Sequence, residues 1–265
     1  MVWLAANLST MFRELPLLER FEQAARFGFR AVELQFPYEA RPEEIARALR
    51  ASSLELVLMN APAGDLDAGE RGLVLEGGRR FKEAISLACE YAREAACPRI
   101  HVLIGKQQGG LRDKLRQGAV ARLRWAASDL ANHGIDLMLE ALNPHDQPGY
   151  AVPSLESAEA LRSQIGMANV RLLFDAYHVA RGGRDPLQML STFLSVSGHI
   201  QISSAPDRCE PHAPEMHAFL EALDTQGYKG FVGCEYHPRG DTVAGLGWAA
   251  RYGIGLKSDE SVAAR

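Results

Sequence analysis

The chain has 265 residues, 47% of them hydrophobic and 23% charged, with a formal net charge of −4. That composition suits an ordinary globular protein, long enough to bury roughly 70–75% of the surface its unfolded chain exposes, and it provides no basic footprint for nucleic acid. There is no apolar run of roughly 18 residues to span a membrane, no charged lead before a long apolar segment at Met1, Val2, Trp3 and Leu4, and no C-x-x-C pair among Cys89, Cys97, Cys209 and Cys234. A cytoplasmic protein with free thiols is expected, without nucleic-acid or membrane partners.

In chain order, strand-like and helix-like segments alternate. Residues 4–8 read as a first strand, and 15–27 place Leu15, Leu18, Phe21 and Ala25 at helical spacing before Gly28. A second strand over 31–36 is followed by a helix from Pro42, a residue suited to a first turn, to about 51. The third strand covers 54–60. The Gly-, Pro- and Asp-rich stretch 61–72 is a loop, followed by a helix carrying Phe81, Ile85, Ala88 and Tyr91. Strand four, 100–104, closes at Gly105, and its helix carries Leu111, Leu115, Leu123, Trp125 and Leu130 before Gly134. The second half repeats this rhythm, with strands near 137–140, 170–175, 199–202 and 231–235 and helices near 155–165, 186–196, 214–226 and 241–252. Eight strands alternating with eight helices predict a single (β/α)8 TIM barrel over residues 1–253, with a polar tail over 254–265; the same alternation also suits an open doubly wound sheet.

Four of these apolar runs end on a side chain able to coordinate a cation: Glu140, Asp175, Gln201 and Glu235, separated by 35, 26 and 34 residues. Each interval is about one strand-loop-helix unit. Side chains alternate along a strand, so with Leu137 and Leu139 facing the helices Glu140 faces the barrel axis, and Asp175, Gln201 and Glu235 obey the same parity. In a barrel all four converge at the carboxyl ends of strands five to eight, the face where such barrels carry their chemistry. Three carboxylates gathered there call for a cation, and an all-oxygen donor set suits Mg²⁺ or Mn²⁺ better than zinc.

Each residue also has a plainer reading. A single strand-end acid commonly serves a loop hydrogen bond, a buried Gln satisfies backbone groups, and His199 reads as a core histidine supporting its neighbours. His178 could bond a substrate oxygen or cap the next helix. Arg208 and Lys106 could bind a substrate anion or sit in solvent, and Glu70 could pair with Arg71 at the surface. It is the recurrence of the four strand ends that points to a site.

Longer motifs carry a resemblance: A-N-L-S at 6–9, F-G-F-R-A-V-E from Phe27, P-A-G-D-x-x-A-G-E-R-G at 62–72, L-I-G-K ending at Lys106, E-A-L-N from Glu140, F-D-A-Y-H at 174–178, H-I-Q-I from His199, and G-Y-K-G-F-V-G-C-E-Y-H-P-R-G-D-T at 227–242. Together they resemble the hydroxypyruvate isomerase family of the xylose-isomerase-like barrels, over roughly residues 1–252. The resemblance implies an intramolecular oxidoreductase of the aldose-ketose type that interconverts hydroxypyruvate and 2-hydroxy-3-oxopropanoate through an enediol. It makes Glu140 and Glu235 the acid-base pair and Glu140, Asp175, Gln201 and Glu235 the ligands of the divalent metal, and the related ketose 3-epimerases make His178 and Arg208 substrate contacts, beside which Lys106 and Glu70 stand as further substrate-binding candidates. Two departures stand out. Ala141 replaces the family's proline, and Cys209, His212 and Pro214 replace glycines in the loop after strand seven, which stiffens it.

The same ligands would serve a 2-oxo-tetronate isomerase or a ketose 3-epimerase. A lyase would lose water, a nuclease of this barrel class would want several histidine ligands and a basic groove, and a sugar-binding protein would tolerate loss of Glu235. A small hydroxy-oxo acid or sugar is the expected partner, and a homo-oligomer is left open.

Overall fold

The elements run β1 (Trp3–Asn7), α1 (Leu17–Arg26), β2 (Ala31–Leu34), α2 (Pro42–Ser52), β3 (Glu55–Asn60), α3 (Gly78–Glu94), β4 (Arg99–His101), α4 (Asp113–Ala131), β5 (Asp136–Glu140), α5 (Leu155–Ile165), β6 (Val170–Asp175), α6 (Ala176–Arg181), α7 (Pro186–Phe193), β7 (Ser197–Ile202), α8 (Ala213–Thr225) and β8 (Phe231–Cys234). They are taken from a computed structural model that describes residues 2–107, 113–211 and 213–255. The strands pair in parallel and in sequence order, and β8 closes on β1 through Trp3 to Ala6 against Phe231 to Cys234. That closure rules out the open doubly wound sheet, which would leave both strands as unpaired edges.

Local chemistry sets where the helices begin and end. Ser154 caps α5 by accepting from the Ser157 N–H while the Ser157 hydroxyl accepts from the Ser154 N–H, and Gly166 ends the helix at φ 67°. Asp185 caps α7 ahead of Pro186 at its first position. Asp175, the last residue of β6, accepts from the Tyr177 N–H at 2.9 Å and starts α6.

Two segments differ from the sequence reading. A short helix, α6, intervenes between β6 and α7 because the Asp175 cap turns the chain immediately. The final segment winds as a 3₁₀ helix over Ala244–Tyr252. Strand β4 is also shorter than expected; Ile104 instead makes an isolated antiparallel bridge with Gly72 in the loop after β3. At the carboxyl end Ile254 is buried and the Gly255 N–H donates to the Phe27 carbonyl at 2.9 Å. Leu111, His212 and residues 256–265 lie outside the described residues. Among the described residues no helix is long and apolar enough to cross a membrane.

Strand parity divides the core. Val32, Leu139, Phe174, Ile200 and Val232 point outward into one large cluster with Phe21, Ile85 and Leu123 of the helices. The remaining apolar strand residues form two small groups, Ala5, Ala31 and Val57 in one and Leu58, Met138 and Leu173 in the other, the adjacent Val57 and Leu58 both falling outside the large cluster where the β2–β3 register shifts. Toward the carboxyl ends of the strands this filling gives way to Asn7, Glu33, Glu140, Asp175, His199 and Gln201, all buried. Barrels of this kind ordinarily fill their interior with branched apolar layers, so a polar top layer marks the end where the chemistry sits.

Candidate active site

Glu140 ends β5, Asp175 ends β6, Gln201 lies one residue before the end of β7 and Glu235 follows β8 directly. Asp175 pairs with Gln201, Glu140 pairs with Leu173 two residues before Asp175, and Gln201 pairs with Gly233 two residues before Glu235, so the four gather at the carboxyl ends of neighbouring strands. All four are buried. The Arg208 Nη2 group joins two of them, donating to Asp175 Oδ2 at 3.0 Å and Glu235 Oε1 at 2.5 Å, while its guanidinium lies over the Tyr177 ring. Gln35 Nε2 donates to the same Glu235 oxygen at 2.7 Å.

The electrostatics are those of an acidic pocket with too little positive charge. Burial, then the charges of Glu235 and Asp175, raises the Glu140 pKa well above the ordinary carboxylate value. Burial also raises the Asp175 pKa against the opposing effect of Arg208. Glu235 is pushed up to about 7 by burial, which outweighs Arg208. Glu140 Oε1 and Gln201 Oε1 are both buried without a hydrogen-bond partner. Such oxygens are costly unless a cation or donor meets them. Glu140 and Asp175 also bring carboxylate oxygens within 4.8 Å of one another, with a His178 ring nitrogen beside them. The donor set therefore fits a divalent cation.

His178 enters this cluster with a defined tautomer. Its Nδ1 faces the Asn143 N–H at 3.2 Å and the Asn143 amide nitrogen at 2.8 Å, and Asn143 Oδ1 is itself occupied by the N–H groups of His145 and Asp146. With Nδ1 accepting, the proton of the neutral ring is on Nε2, which lies 3.8 Å from both Glu140 and Asp175. Burial, reinforced by Arg208, lowers the His178 pKa well below its usual value and keeps the ring neutral. The 3.3 Å approach of Arg208 Nη1 to Nε2 is then a meeting of two donors, which an acceptor oxygen placed between them would relieve.

Glu33 was not among the expected site residues. Its Oε2 accepts from Asn7 Nδ2 at 3.0 Å and Gln201 Nε2 at 2.9 Å, and its Oε1 pairs with His199 Nε2. His199 is thus a supporting histidine, and Glu33 orients the Gln201 amide so that its nitrogen is occupied and its oxygen left open. The signal was present, since Glu33 ends the apolar run A-V-E on β2 much as the others end theirs. His101, which ends β4, was also missed. Its Nδ1 lies 3.5 Å from Glu140 Oε2, and burial lowers its pKa to about 3.

A cavity of about 220 Å³ opens beside these groups, lined among others by Gln35, Arg71, His101, Glu140, His178, Arg208 and Glu235. It is smaller than the roughly 300–1,000 Å³ of clefts for drug-sized ligands, which suits a small substrate. Glu70 and Lys106 do not line it. The Glu70 carboxylate is bound by Arg80 at 2.7 Å and by the Asp65 N–H, and Lys106 is exposed in a bridge with Tyr150. Ala141 is buried at the start of the loop after β5, and Cys209 is buried with its Sγ 3.0 Å from the Ser204 hydroxyl.

The model of the xylose isomerase-like TIM barrel family matches residues 21–252. The chain is 40% identical to the 2-oxo-tetronate isomerase of Cupriavidus necator, covering 94% of this chain and 97% of the relative. It is 36% identical to the hydroxypyruvate isomerase of Escherichia coli, covering 95% and 100%. Among solved structures, a Brucella melitensis protein described as an AP endonuclease of family 2 is 39% identical, with a TM-score of 0.91, over 95% of this chain and 99% of that one.

Proposed function

The chain belongs to the xylose isomerase-like TIM barrel family and is an enzyme of the isomerase class, and we propose that it interconverts hydroxypyruvate and 2-hydroxy-3-oxopropanoate. The observation that carries the reading is the pair of buried glutamates, Glu140 and Glu235, whose carboxyl pKa values burial raises, that of Glu235 to about 7, beside two partnerless oxygens. Side chains poised in this way suit proton transfer near neutral pH.

In hydroxypyruvate a proton leaves carbon 3 and a proton arrives at carbon 2, through an enediol, while oxygen 3 gives up its hydroxyl proton and oxygen 2 gains one. One glutamate takes the first proton and the other delivers the second, and the roles exchange in the reverse direction. Such acid-base groups contribute about 10²–10⁴-fold each. Glu140, Asp175, Gln201 and Glu235 would hold the cation, Mg²⁺ or Mn²⁺ from the hard oxygen donors; when bound it supplies Lewis-acid stabilisation of negative charge on the substrate oxygens. His178 donates its Nε2–H to a substrate oxygen, and Arg208 balances the charge of Asp175 and Glu235. Four free, buried cysteines support a reducing compartment such as the cytoplasm.

A second reading rests on the 40% identity to a 2-oxo-tetronate isomerase. A 2-oxo-tetronate undergoes the same transfer between carbons 3 and 2 and differs by a hydroxymethyl group on the carbon that loses its proton. The test is proton NMR in D₂O with hydroxypyruvate and 2-oxo-tetronates, with and without Mg²⁺ or Mn²⁺. Metal-dependent entry of deuterium next to the carbonyl is expected, with kcat/KM deciding between the substrates. No exchange with any of them would overturn the reading.

A further inference from the structure

Both readings above give the substrate a carboxylate, and a carboxylate entering this acidic cavity requires a cation that is not already engaged. Two arginines line the cavity, Arg71 and Arg208. Arg208 is engaged, bridging Asp175 and Glu235. Arg71 is held quite differently. It sits in the loop between β3 and α3, where its Nη1 donates to the carbonyls of Leu66 at 2.9 Å and Glu70 at 2.6 Å, and among the described residues no carboxylate pairs with it.

Its sequence neighbour Glu70 would be the obvious counter-ion, but the fold turns Glu70 away. Both Glu70 oxygens face Arg80, at 2.7 and 3.1 Å, and one also accepts from the Asp65 N–H. The Arg80 pair, with burial opposing, holds the Glu70 carboxyl at about 2, so that it stays ionised and attached to Arg80. Asp146, another acid in the lining, is likewise satisfied by Asn143, Tyr177 and Arg181. Arg71 is thus left as a cation facing the cavity.

The backbone on either side of Arg71 is pinned. The Glu70 N–H donates to the Asp65 carbonyl at 2.9 Å and the Gly72 N–H to the Ala63 carbonyl at 2.8 Å. Gly72, at φ 118°, packs so closely on the Leu103 carbonyl that a Cβ would collide with it. The loop presents Arg71 in a preformed position, which reduces the ordering cost of binding.

We propose that Arg71 holds the substrate carboxylate and makes the site selective for hydroxy-oxo acids over neutral ketoses, an inference that rests on the isomerase reading above. A charge-assisted bond of this kind, lost without loss of chemistry, raises KM and leaves kcat. For Arg71→Met, KM for the oxo acid turned over by the wild type is expected to rise about 10–100-fold with kcat within about threefold. Arg71→Lys should recover part of the loss. Deuterium exchange into dihydroxyacetone, a neutral three-carbon ketose, should proceed at the wild-type rate. D-glycerate, a carboxylate that is not a substrate for the reaction, should bind the wild type in calorimetry and bind Arg71→Met at least about tenfold more weakly.

An Arg71→Met protein with wild-type melting temperature, KM and glycerate affinity would overturn the inference. Should the wild type turn over no oxo acid, the reaction reading fails, and the glycerate comparison still decides whether Arg71 is an anion anchor.

Discussion

Replacing Glu33 by Gln changes one charge at nearly constant volume and tests whether the buried side chain beneath the site sets the geometry above it. In the wild type two amide nitrogens, of Asn7 and Gln201, point at Oε2, at 3.0 and 2.9 Å, and His199 Nε2 points at Oε1. An amide at position 33 has one acceptor oxygen and one donor nitrogen. If the oxygen keeps Asn7 and Gln201, the nitrogen meets His199 Nε2 and forces the ring into its other tautomer. With the amide flipped, two donors meet at Gln201, whose amide must then rotate and carry Oε1 out of its present position. An amide at position 33 leaves one of these buried donors without an acceptor, so we expect about 1–3 kcal/mol, the cost of an unsatisfied buried group. At about 2–4 °C per kcal/mol for a domain near this size, Tm should fall by about 2–12 °C. Metal affinity should fall by about 10–100-fold, as it does when the support of a ligand is removed. Calorimetric titration with Mn²⁺ and differential scanning calorimetry read the two effects separately. Adding His199→Gln should restore part of the Tm and none of the Mn²⁺ affinity. A folded Glu33→Gln protein that binds Mn²⁺ as the wild type does would refute the reasoning.

Three further outcomes are expected. Because burial raises Glu140, Asp175 and Glu235 above their ordinary values, Glu235 from 4.5 to about 7, the metal-free folded protein holds protons the unfolded chain has released. Its Tm should therefore fall as pH rises from about 4.5 to about 7, and Mn²⁺ should reverse the fall in melting curves run with and without chelator; a chelator-treated protein whose Tm rises across that window contradicts the assignment. Glu235→Gln should lower the deuterium-exchange rate by about 10²–10⁴-fold with far-ultraviolet circular dichroism unchanged, and retained exchange would remove Glu235 from the proton transfer. Gly72→Ala places a Cβ at φ 118° against the Leu103 carbonyl, which should cost about 1–3 kcal/mol in denaturant unfolding and raise KM for the oxo acid by shifting Arg71; an unaltered KM would separate the loop from the substrate.

Much of the architecture was legible in the sequence because it is written in local terms. The period of the apolar residues separates strands from helices, Gly and Pro mark the ends, and parity places Glu140, Asp175, Gln201 and Glu235 on the axis-facing side of four successive strands. Long motifs added the family. What the chain could not reveal on its own are the contacts made across the barrel. Glu33 bonds to Asn7, His199 and Gln201, partners 26, 166 and 168 residues away, so no local window shows that it orients the Gln201 amide. Glu70 and Arg71 are adjacent in sequence and look alike as loop charges, yet Arg80 draws one outward and leaves the other facing the cavity. The identity of a side chain is a local fact, whereas its charge environment depends on which neighbours the closed barrel brings within a few ångströms, and only tertiary structure decides that.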